Sequence, residues 1–168
     1  TVAIVVEGDN IRTINVSIPP TQTTFRLEIP AGLQRKISVL TSNSTDVNYN
    51  GVNWGGHKTV DLIPGEESNI VITMLPMTKI NVIDSPYPAT LAPNWNLVSG
   101  ISVVKGYKLY RSTNAEGPYS LIATISSPST YYDENTSLTS GVIYYYKVSV
   151  YTETAEGELS DYKSAKAL

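Results

Sequence analysis

Residues that could support catalysis are sparse in this sequence of 168 residues. It has one histidine, His57, and no cysteine, so the usual pairs of a nucleophile and an imidazole base are nearly excluded. The motifs of serine hydrolases, phosphate-binding loops and dinucleotide-binding folds do not occur. Asp133 and Glu134 are adjacent carboxylates, but adjacent residues of a strand point to opposite faces. The sequence therefore predicts a protein that is not an enzyme, with no catalytic residue and no cofactor.

One segment combines residue types that bind sugars or protein partners. Tyr49, Asn53, Trp54 and His57 lie among glycines and further asparagines, and they form the candidate ligand or partner loop. Flat aromatic rings give a large contact area, and amide side chains give hydrogen bonds. A purely structural interpretation also fits: a hairpin in which Tyr49 and Trp54 cover the edge of a sandwich and Gly55-Gly56 makes the turn. His57 by itself cannot form a metal site, which needs several convergent ligands.

An acidic segment at residues 152–158 contains Glu153, Glu156 and Glu158. Three exposed carboxylates are ordinary in a solvated turn, which is the simpler interpretation. Calcium binding at a domain joint is the alternative. It would need several oxygen ligands contributed by two domains.

The overall charge excludes several classes of partner. Twelve Lys and Arg residues against fifteen Asp and Glu residues give a net charge of -3. No basic patch marks a nucleic-acid surface, so no nucleic-acid partner is predicted. No apolar run is long enough to insert into a membrane. The sequence does not begin with Met, and we expect it to be a fragment of a longer, exported protein.

The elements that must position these residues are β-strands. Charged residues make up 16% of the sequence, whereas Thr, Ser, Val, Ile and Tyr are common and favour pleated sheets. Apolar and polar residues alternate in short runs separated by Gly, Pro, Asn and Asp. The pattern predicts an all-β protein of two tandem antiparallel β-sandwiches, at residues 1–76 and 77–168. Their connector, Pro76-Met77-Thr78, is so short that the two domains should touch or nearly touch.

The first half has about seven strand-like runs, as is typical of a sandwich. They are residues 2–6, 14–18, 25–29, 37–39, 47–54, 58–63 and 69–75. Turn and strand motifs at Ile29-Pro30-Ala31-Gly32 and at residues 35–39 and 59–73 resemble those of prealbumin-like and carboxypeptidase-regulatory-like sandwiches, which are immunoglobulin-like in architecture. Such modules occur in tandem in exported bacterial proteins. The resemblance implies a fold and a contact surface rather than chemistry.

The second half has about seven further runs, at residues 79–83, 89–97, 106–112, 119–125, 130–133, 142–152 and 162–168. The run Gly106–Ser112 alternates with period two between turn formers and is predicted to be a central strand. Trp95, upstream of this strand, is predicted to fill the space between two sheets, and alternate residues of the 142–152 run are predicted to face it. The predicted core is Trp95, Tyr107, Leu109, Leu138, Tyr144, Tyr146 and Val148.

This second half resembles a fibronectin type III domain. The residues that carry the likeness are Trp95, the run Gly106–Ser112, and Leu138-Thr139-Ser140-Gly141 followed by Tyr144 and Tyr146. The resemblance makes Tyr144 a tyrosine-corner residue, with a buried ring and a hydroxyl group bonded to the preceding turn.

Two features depart from the family pattern. The loop after the Trp95 strand is unusually apolar at Ile101, Val103 and Val104. The topology of such a sandwich places this loop at the end where the chain enters, so these three residues are the candidate interdomain joint, in preference to an exposed partner site.

The last strand is the second departure. Lys163, Ala165 and Ala167 stand where the family usually has larger apolar residues. This predicts weak pairing, or pairing completed by a neighbouring domain.

Together these features predict a non-catalytic module of a larger exported bacterial protein, extracellular or anchored to the cell envelope, that acts as a spacer or in adhesion and interaction. Its partners would be a protein or a glycan at the cell surface and the neighbouring domains of the same chain. The alternative is a carbohydrate-binding accessory region of a secreted glycan-degrading enzyme, with Trp54 and Tyr49 stacking on sugar rings.

Overall fold

The computed structural model describes residues 2–19, 26–42, 52–98, 101–134 and 138–168. These residues form eleven β-strands and no helix. The strands are β1 (Val2–Glu7), β2 (Ile14–Ile18), β3 (Gly32–Ser42), β4 (Val52–Leu62), β5 (Leu75–Pro76), β6 (Ile80–Asp84), β7 (Ala92–Trp95), β8 (Gly106–Ser112), β9 (Ser120–Ser126), β10 (Ile143–Tyr151) and β11 (Lys163–Lys166).

Every strand pairing in the described residues is antiparallel. The all-β, antiparallel fold class predicted from the alternating pattern is therefore confirmed. The chain divides into two compact units, Thr1–Pro76 and Met77–Leu168. The described part of the chain contains no helix that is long and apolar enough to cross a membrane.

The first unit contains a sheet with the strand order β2-β1-β3-β4-β5. Alternation along the strands turns one face of this sheet inward, where the buried apolar residues lie. They are Ile4, Val6, Ile18 and Ile37. Side chains from segments outside the strands pack against this face, among them Leu27, Ile29, Ile70 and Ile72.

Two predicted strands of the first unit are wrong. Residues 26–29 and 69–74 form no ladder, and the pairing after residue 69 is limited to Leu75–Pro76. Both segments nevertheless direct alternate apolar side chains at the sheet. The alternation of apolar and polar residues therefore indicated that one side of each segment is buried. It did not indicate whether the backbone pairs with a neighbouring strand.

The glycine pair in β4 is not a turn, contrary to the hairpin interpretation. β4 runs without interruption through Gly55 and Gly56, so the predicted strands at residues 47–54 and 58–63 are one strand as far as the described residues extend. A Cβ atom at Gly56 would overlap the backbone carbonyl of Thr73. A glycine inside a strand permits such a close backbone approach.

A buried arginine holds one end of the first unit together. Arg35 is 5% exposed, and its guanidinium group donates to the backbone carbonyl oxygens of Asp9 at 2.6 Å, Ala31 at 2.8 Å and Pro30 at 3.1 Å. A Cβ atom at Gly32 would overlap this guanidinium group, and Gly32 also has a φ of +151°. Glycine is therefore required for both space and backbone conformation.

The second unit contains a four-stranded sheet, in the order β11-β10-β8-β9, and the two-stranded sheet β6-β7. Residues of both sheets share one apolar cluster. At its centre, the rings of Trp95 and Tyr107 lie 5.5 Å apart. Of the predicted core residues, six are buried and Leu138 is partly buried against them; the six are Trp95, Tyr107, Leu109, Tyr144, Tyr146 and Val148.

Two tyrosine hydroxyl groups of this core accept hydrogen bonds from backbone segments outside the strands. The backbone N–H of Thr139 donates to the hydroxyl of Tyr144 at 2.8 Å, as the tyrosine-corner prediction requires. The backbone N–H of Val98 donates to the hydroxyl of Tyr107 at 2.7 Å, which the sequence did not indicate. Each ring therefore packs in the core while its hydroxyl accepts a hydrogen bond from a backbone N–H outside the strands.

Two further strand expectations of the second unit need correction. Residues 130–133 form isolated bridges, including Asn94 with Tyr131, and no continuous strand. β11 pairs with β10 along its length, and the ladder continues where Ala167 donates to the carbonyl of Val142 at 3.0 Å and accepts from Gly141 at 2.7 Å. Because Ala167 is fully buried, its small side chain reflects close packing rather than weak pairing.

Candidate interaction surface

The structure separates the residues of the predicted ligand loop. Trp54 pairs with Thr41 and lies on the side of the sheet that carries Ile4, whereas His57 pairs with Ser38 on the opposite side. Trp54 is 40% exposed, and His57 is also exposed. Tyr49 lies outside the described residues, as does the side chain of Asn53. Trp54 and His57 therefore cannot contact one ligand from the same side of the sheet.

The residues of the predicted interdomain joint lie around a turn in the second unit. The N–H of Val104 donates to the carbonyl oxygen of Ile101 at 3.1 Å. Val104 is partly buried against the core of the second unit, while Val103 is 57% exposed. Ile101 lines a shallow depression with Pro128. The assignment of these residues to a joint stays a prediction.

The four-stranded sheet of the second unit has an outward face rich in tyrosine. Directly paired residues of antiparallel strands share a face, and the pairs Tyr145 with Ser112, Lys147 with Tyr110, and Ser149 with Lys108 all point away from the core. The alternation that buries Tyr144 and Tyr146 thus places their neighbours on the outside. We call one part of this face the tyrosine face; it consists of Tyr119, Leu121, Tyr145, Lys147 and Tyr162.

Aromatic contacts organise the tyrosine face. The rings of Tyr145 and Tyr162 meet edge to face at 5.3 Å, and the Nζ atom of Lys147 lies 5.0 Å from the centre of the Tyr119 ring. Such a cation–π contact stabilises an exposed surface by about 0.5–1 kcal/mol. Leu121 and Tyr162 are each 48% exposed. The result is a surface of rings held in fixed orientation that stays accessible.

The Tyr119 phenol group, at one end of this face, remains protonated at neutral pH. Burial raises the pKa of Tyr119, and the nearby Tyr162, Glu116 and Tyr145 raise it further. The Tyr119 hydroxyl donates to the backbone carbonyl of Ala115 at 2.7 Å. Its ring is thereby anchored at the end of the face.

A carboxylate next to the tyrosine face fastens the acidic segment to the sheet. Glu156 accepts from Tyr110 at 2.5 Å, Lys108 at 2.6 Å and Ser149 at 2.7 Å. Partial burial opposes ionisation of Glu156, but the hydrogen bonds from Lys108, Ser149 and Tyr110 outweigh it and lower the pKa. Glu156 is therefore bound to β8 and β10 and does not belong to a freely solvated turn.

The described residues offer no ligand set for calcium. Nowhere in the described ranges does a group of three His, Asp or Glu side chains lie close enough to hold a metal ion. Of the acidic segment, Glu156 is saturated by three donors, and Glu153 forms an exposed ion pair with Lys105 at 2.8 Å. Calcium at a joint between domains stays a prediction.

Among the described residues of the second unit, Glu134 is the one acidic residue that is buried. It is 5% exposed, accepts from the Tyr146 hydroxyl at 2.6 Å and forms an ion pair with Arg111. Arg111 also lies 5.1 Å from the centre of the Tyr144 ring. Burial raises the pKa of Glu134, although the bonds from Tyr146 and Arg111 act in the opposite direction. With both oxygens occupied, Glu134 has a structural role.

Sequence reasoning missed both carboxylate clusters. The available signal for Glu134 was Arg111, which shares the core face of β8 with Tyr107 and Leu109. A cation on a core face requires a buried partner. The sequence did not indicate that Glu134, rather than the adjacent Asp133, would be the partner of Arg111. Which of the two side chains points inward is set by the isolated bridges of that segment, such as Leu91 with Glu134.

Comparison with known proteins identifies relatives among solved structures. No protein-family model matches the chain, and no curated protein matches it. A Fn3-like protein from Clostridium thermocellum is 32% identical, over 51% of this chain and 83% of that chain, with a TM-score of 0.42. A segment of two fibronectin type III domains from chicken tenascin is 14% identical over 99% of this chain and 83% of that chain, with a TM-score of 0.40. The FN1–FN3 domains of chicken CNTN1 are 11% identical over 99% of this chain and 53% of theirs, with a TM-score of 0.44.

The family assignment depends on sequence identity. The bacterial Fn3-like protein passes 30% identity, and this chain covers most of its length. The likeness of the first unit to prealbumin-like sandwiches stays a prediction. By its identity to the Clostridium thermocellum protein, this chain belongs to the fibronectin type III family.

Proposed function

We propose that this chain is a non-catalytic interaction module of a larger exported bacterial protein, and that it binds a protein at the cell surface through the tyrosine face. Domains of this family are generally extracellular interaction or spacer modules. The tyrosine face is the proposed site of contact with the partner. The observation that carries it is the exposure of aromatic and apolar side chains on an otherwise ordered sheet face.

The chemistry of the tyrosine face suits a protein partner. Tyr145 and Tyr162 offer large apolar rings at low cost in conformational entropy, and their hydroxyl groups can form hydrogen bonds. The edge-to-face packing of these two rings presents an uneven surface, which suits the side chains of a protein better than the broad face of a sugar ring. Leu121 adds an exposed apolar side chain. Tyrosine is also enriched at protein interfaces.

Binding of the intact chain to an array of purified bacterial and host surface proteins tests this proposal. We expect the triple substitution Tyr119→Ser, Tyr145→Ser and Tyr162→Ser to abolish the binding. Tyr131→Ser is the matched control, because Tyr131 is an exposed tyrosine that pairs next to β7, away from the tyrosine face. Binding that survives the triple substitution would contradict the proposal, and an array without any signal would favour a passive spacer.

Glycan binding is a second candidate function, favoured by the 40% exposure of Trp54 on β4 of the first sheet. An exposed indole ring can stack on a sugar. A glycan array separates this function from the first, because the Trp54→Ala substitution should remove glycan binding while the triple tyrosine substitution leaves it unchanged. Absence of binding to all polysaccharides would exclude it.

A further inference from the structure

β9 forms one end of the four-stranded sheet, and among the described residues no strand pairs with its outer side. Hydrogen-bonding direction alternates along an antiparallel strand. The N–H of Ser127 donates to the backbone carbonyl oxygen of Lys105, the residue before β8, at 2.9 Å. Because the same direction recurs at every second residue, the backbone N–H and C=O groups of Ile125 and Ala123 also form hydrogen bonds with β8. The N–H and C=O of Thr124, which lies between them, face the open side.

Edge strands usually carry features that prevent pairing with another chain, such as lysine, proline or very short length. The opposite edge of this sheet, β11, has two lysines in four residues, Lys163 and Lys166. β5 has two residues and ends in Pro76. β9 has seven residues without a charge or a proline. Its one protective feature is a bulge opposite Leu109 and Tyr110, which leaves residues 123–126 in regular register.

A second copy of the same strand complements this edge. When two β9 strands run antiparallel about a two-fold axis at Thr124, each Thr124 exchanges two backbone hydrogen bonds with its equivalent. The N–H of Ser126 then faces the backbone of Ile122 in the other copy. Both copies have a net charge of -3, but β9 is uncharged, so no like charges are opposed within the new strand pair. Leu121, on the outer face, adds apolar area to the contact.

We infer that β9 pairs with β9 of a second copy of this chain and forms a two-fold dimer. An edge contact of this length buries well below the roughly 1,000 Å² of a stable interface, so the dimer is weak and forms at high local concentration. Pairing joins the two sheets into one and places two tyrosine faces on the same side. The association requires no ligand, so the result of an association experiment does not depend on whether the tyrosine face binds a protein.

Sedimentation equilibrium of the intact chain, from about 10 µM to about 1 mM, tests the inference. We expect the average mass to rise from 18.3 kDa towards twice that value. Thr124→Lys and Thr124→Asp should each keep the chain monomeric, because like charges then meet at the two-fold axis. An equimolar mixture of the two variants should associate again, since Lys then faces Asp. Restored association cannot arise from variants that fail to fold.

The matched control is Ser17→Lys on β2, an exposed position in the uncharged edge strand of the first unit. This substitution should leave the association unchanged. A wild-type chain that stays at 18.3 kDa throughout would overturn the inference. Association that survives Thr124→Lys, or that disappears with Ser17→Lys, would also overturn it, because the contact would then lie elsewhere.

Discussion

The two units bury a charged side chain in opposite ways. In the first unit, Arg35 donates to three backbone carbonyl oxygens. In the second unit, Glu134 is held by two side chains, Arg111 and Tyr146. Arg35, held by the main chain, depends on the backbone conformation and on Gly32, which leaves room for the guanidinium group. An anion held by side chains depends on two specific residues, and each can be removed by one substitution.

The largest expected effect follows from this difference. Replacement of Glu134 by Ala leaves the partly buried Arg111 without its carboxylate, and loss of one member of a buried pair typically costs about 3–5 kcal/mol. Urea unfolding of the second unit, followed by circular dichroism, would measure the change in free energy. The double substitution Arg111→Met with Glu134→Leu should recover most of the loss. A single-variant loss below about 1 kcal/mol would contradict a buried, paired carboxylate.

Arg35 provides the second test. Its replacement by Met removes the guanidinium group that donates to three backbone carbonyl oxygens, and this loss should cost about 1–3 kcal/mol in the first unit. Gly32→Ala should destabilise the same unit without changing any charge, because its Cβ would overlap the guanidinium group. In the double variant the two losses should not add, because Arg35→Met removes the group that the new Cβ meets. Strict additivity would contradict the contact.

Tyr146→Phe is expected to have a smaller effect than Glu134→Ala. It removes one hydrogen bond to the Glu134 carboxylate while Arg111 stays in place, and a bond to a charged group contributes about 1.5–3 kcal/mol. The ring of Phe fills the same space, so no cavity forms. A loss as large as that of Glu134→Ala would indicate that the hydroxyl, and not the ion pair, holds the carboxylate.

The smallest expected effect is on the pH dependence of stability, in which two glutamates of the second unit differ. The raised pKa of Glu134 means that its proton binds more tightly in the folded chain, so the stability from this group is present at low pH and is lost as pH rises through the folded value. Glu156 has a lowered pKa, and its contribution is lost as pH falls through its folded value. Unfolding of Glu134→Gln and Glu156→Gln between about pH 3 and 7 should give difference curves of opposite slope.

The first unit supplies the control for this measurement. The acceptors of Arg35 are amide carbonyls, which do not titrate, so the loss in Arg35→Met should be the same across that pH range. Slopes of equal sign for the two glutamate variants would contradict the assigned environments.

The sequence indicated which side chains are buried better than it indicated which backbones are paired. Alternation placed Tyr107, Leu109 and Tyr146 in the core, where they lie. The same alternation at Ile70 and Ile72 suggested a strand, yet these residues cover a sheet without joining it. Hydrogen bonding requires a neighbouring strand, and a local pattern carries no information about distant neighbours.

The tyrosine face could not be predicted from the sequence for a related reason. Tyr145 and Lys147 alternate with core residues, so their outward direction is readable from the sequence. The partners Tyr119 and Tyr162 come from other parts of the chain, and only the fold brings them together. The aromatic segment around Trp54 was predicted to bind a ligand because its residues are close in sequence, whereas the sheet divides Trp54 and His57 between its two faces.

The placement of the two tryptophans gives each unit its own fluorophore. Trp95 is 3% exposed in the second unit, and Trp54 is 40% exposed in the first. Trp95 should therefore emit at shorter wavelength than Trp54 in the native chain, since its indole ring is shielded from water. A Trp54→Phe chain reports only on the second unit, and a Trp95→Phe chain reports only on the first. The molecule thus contains the probes needed to follow the unfolding of each half separately.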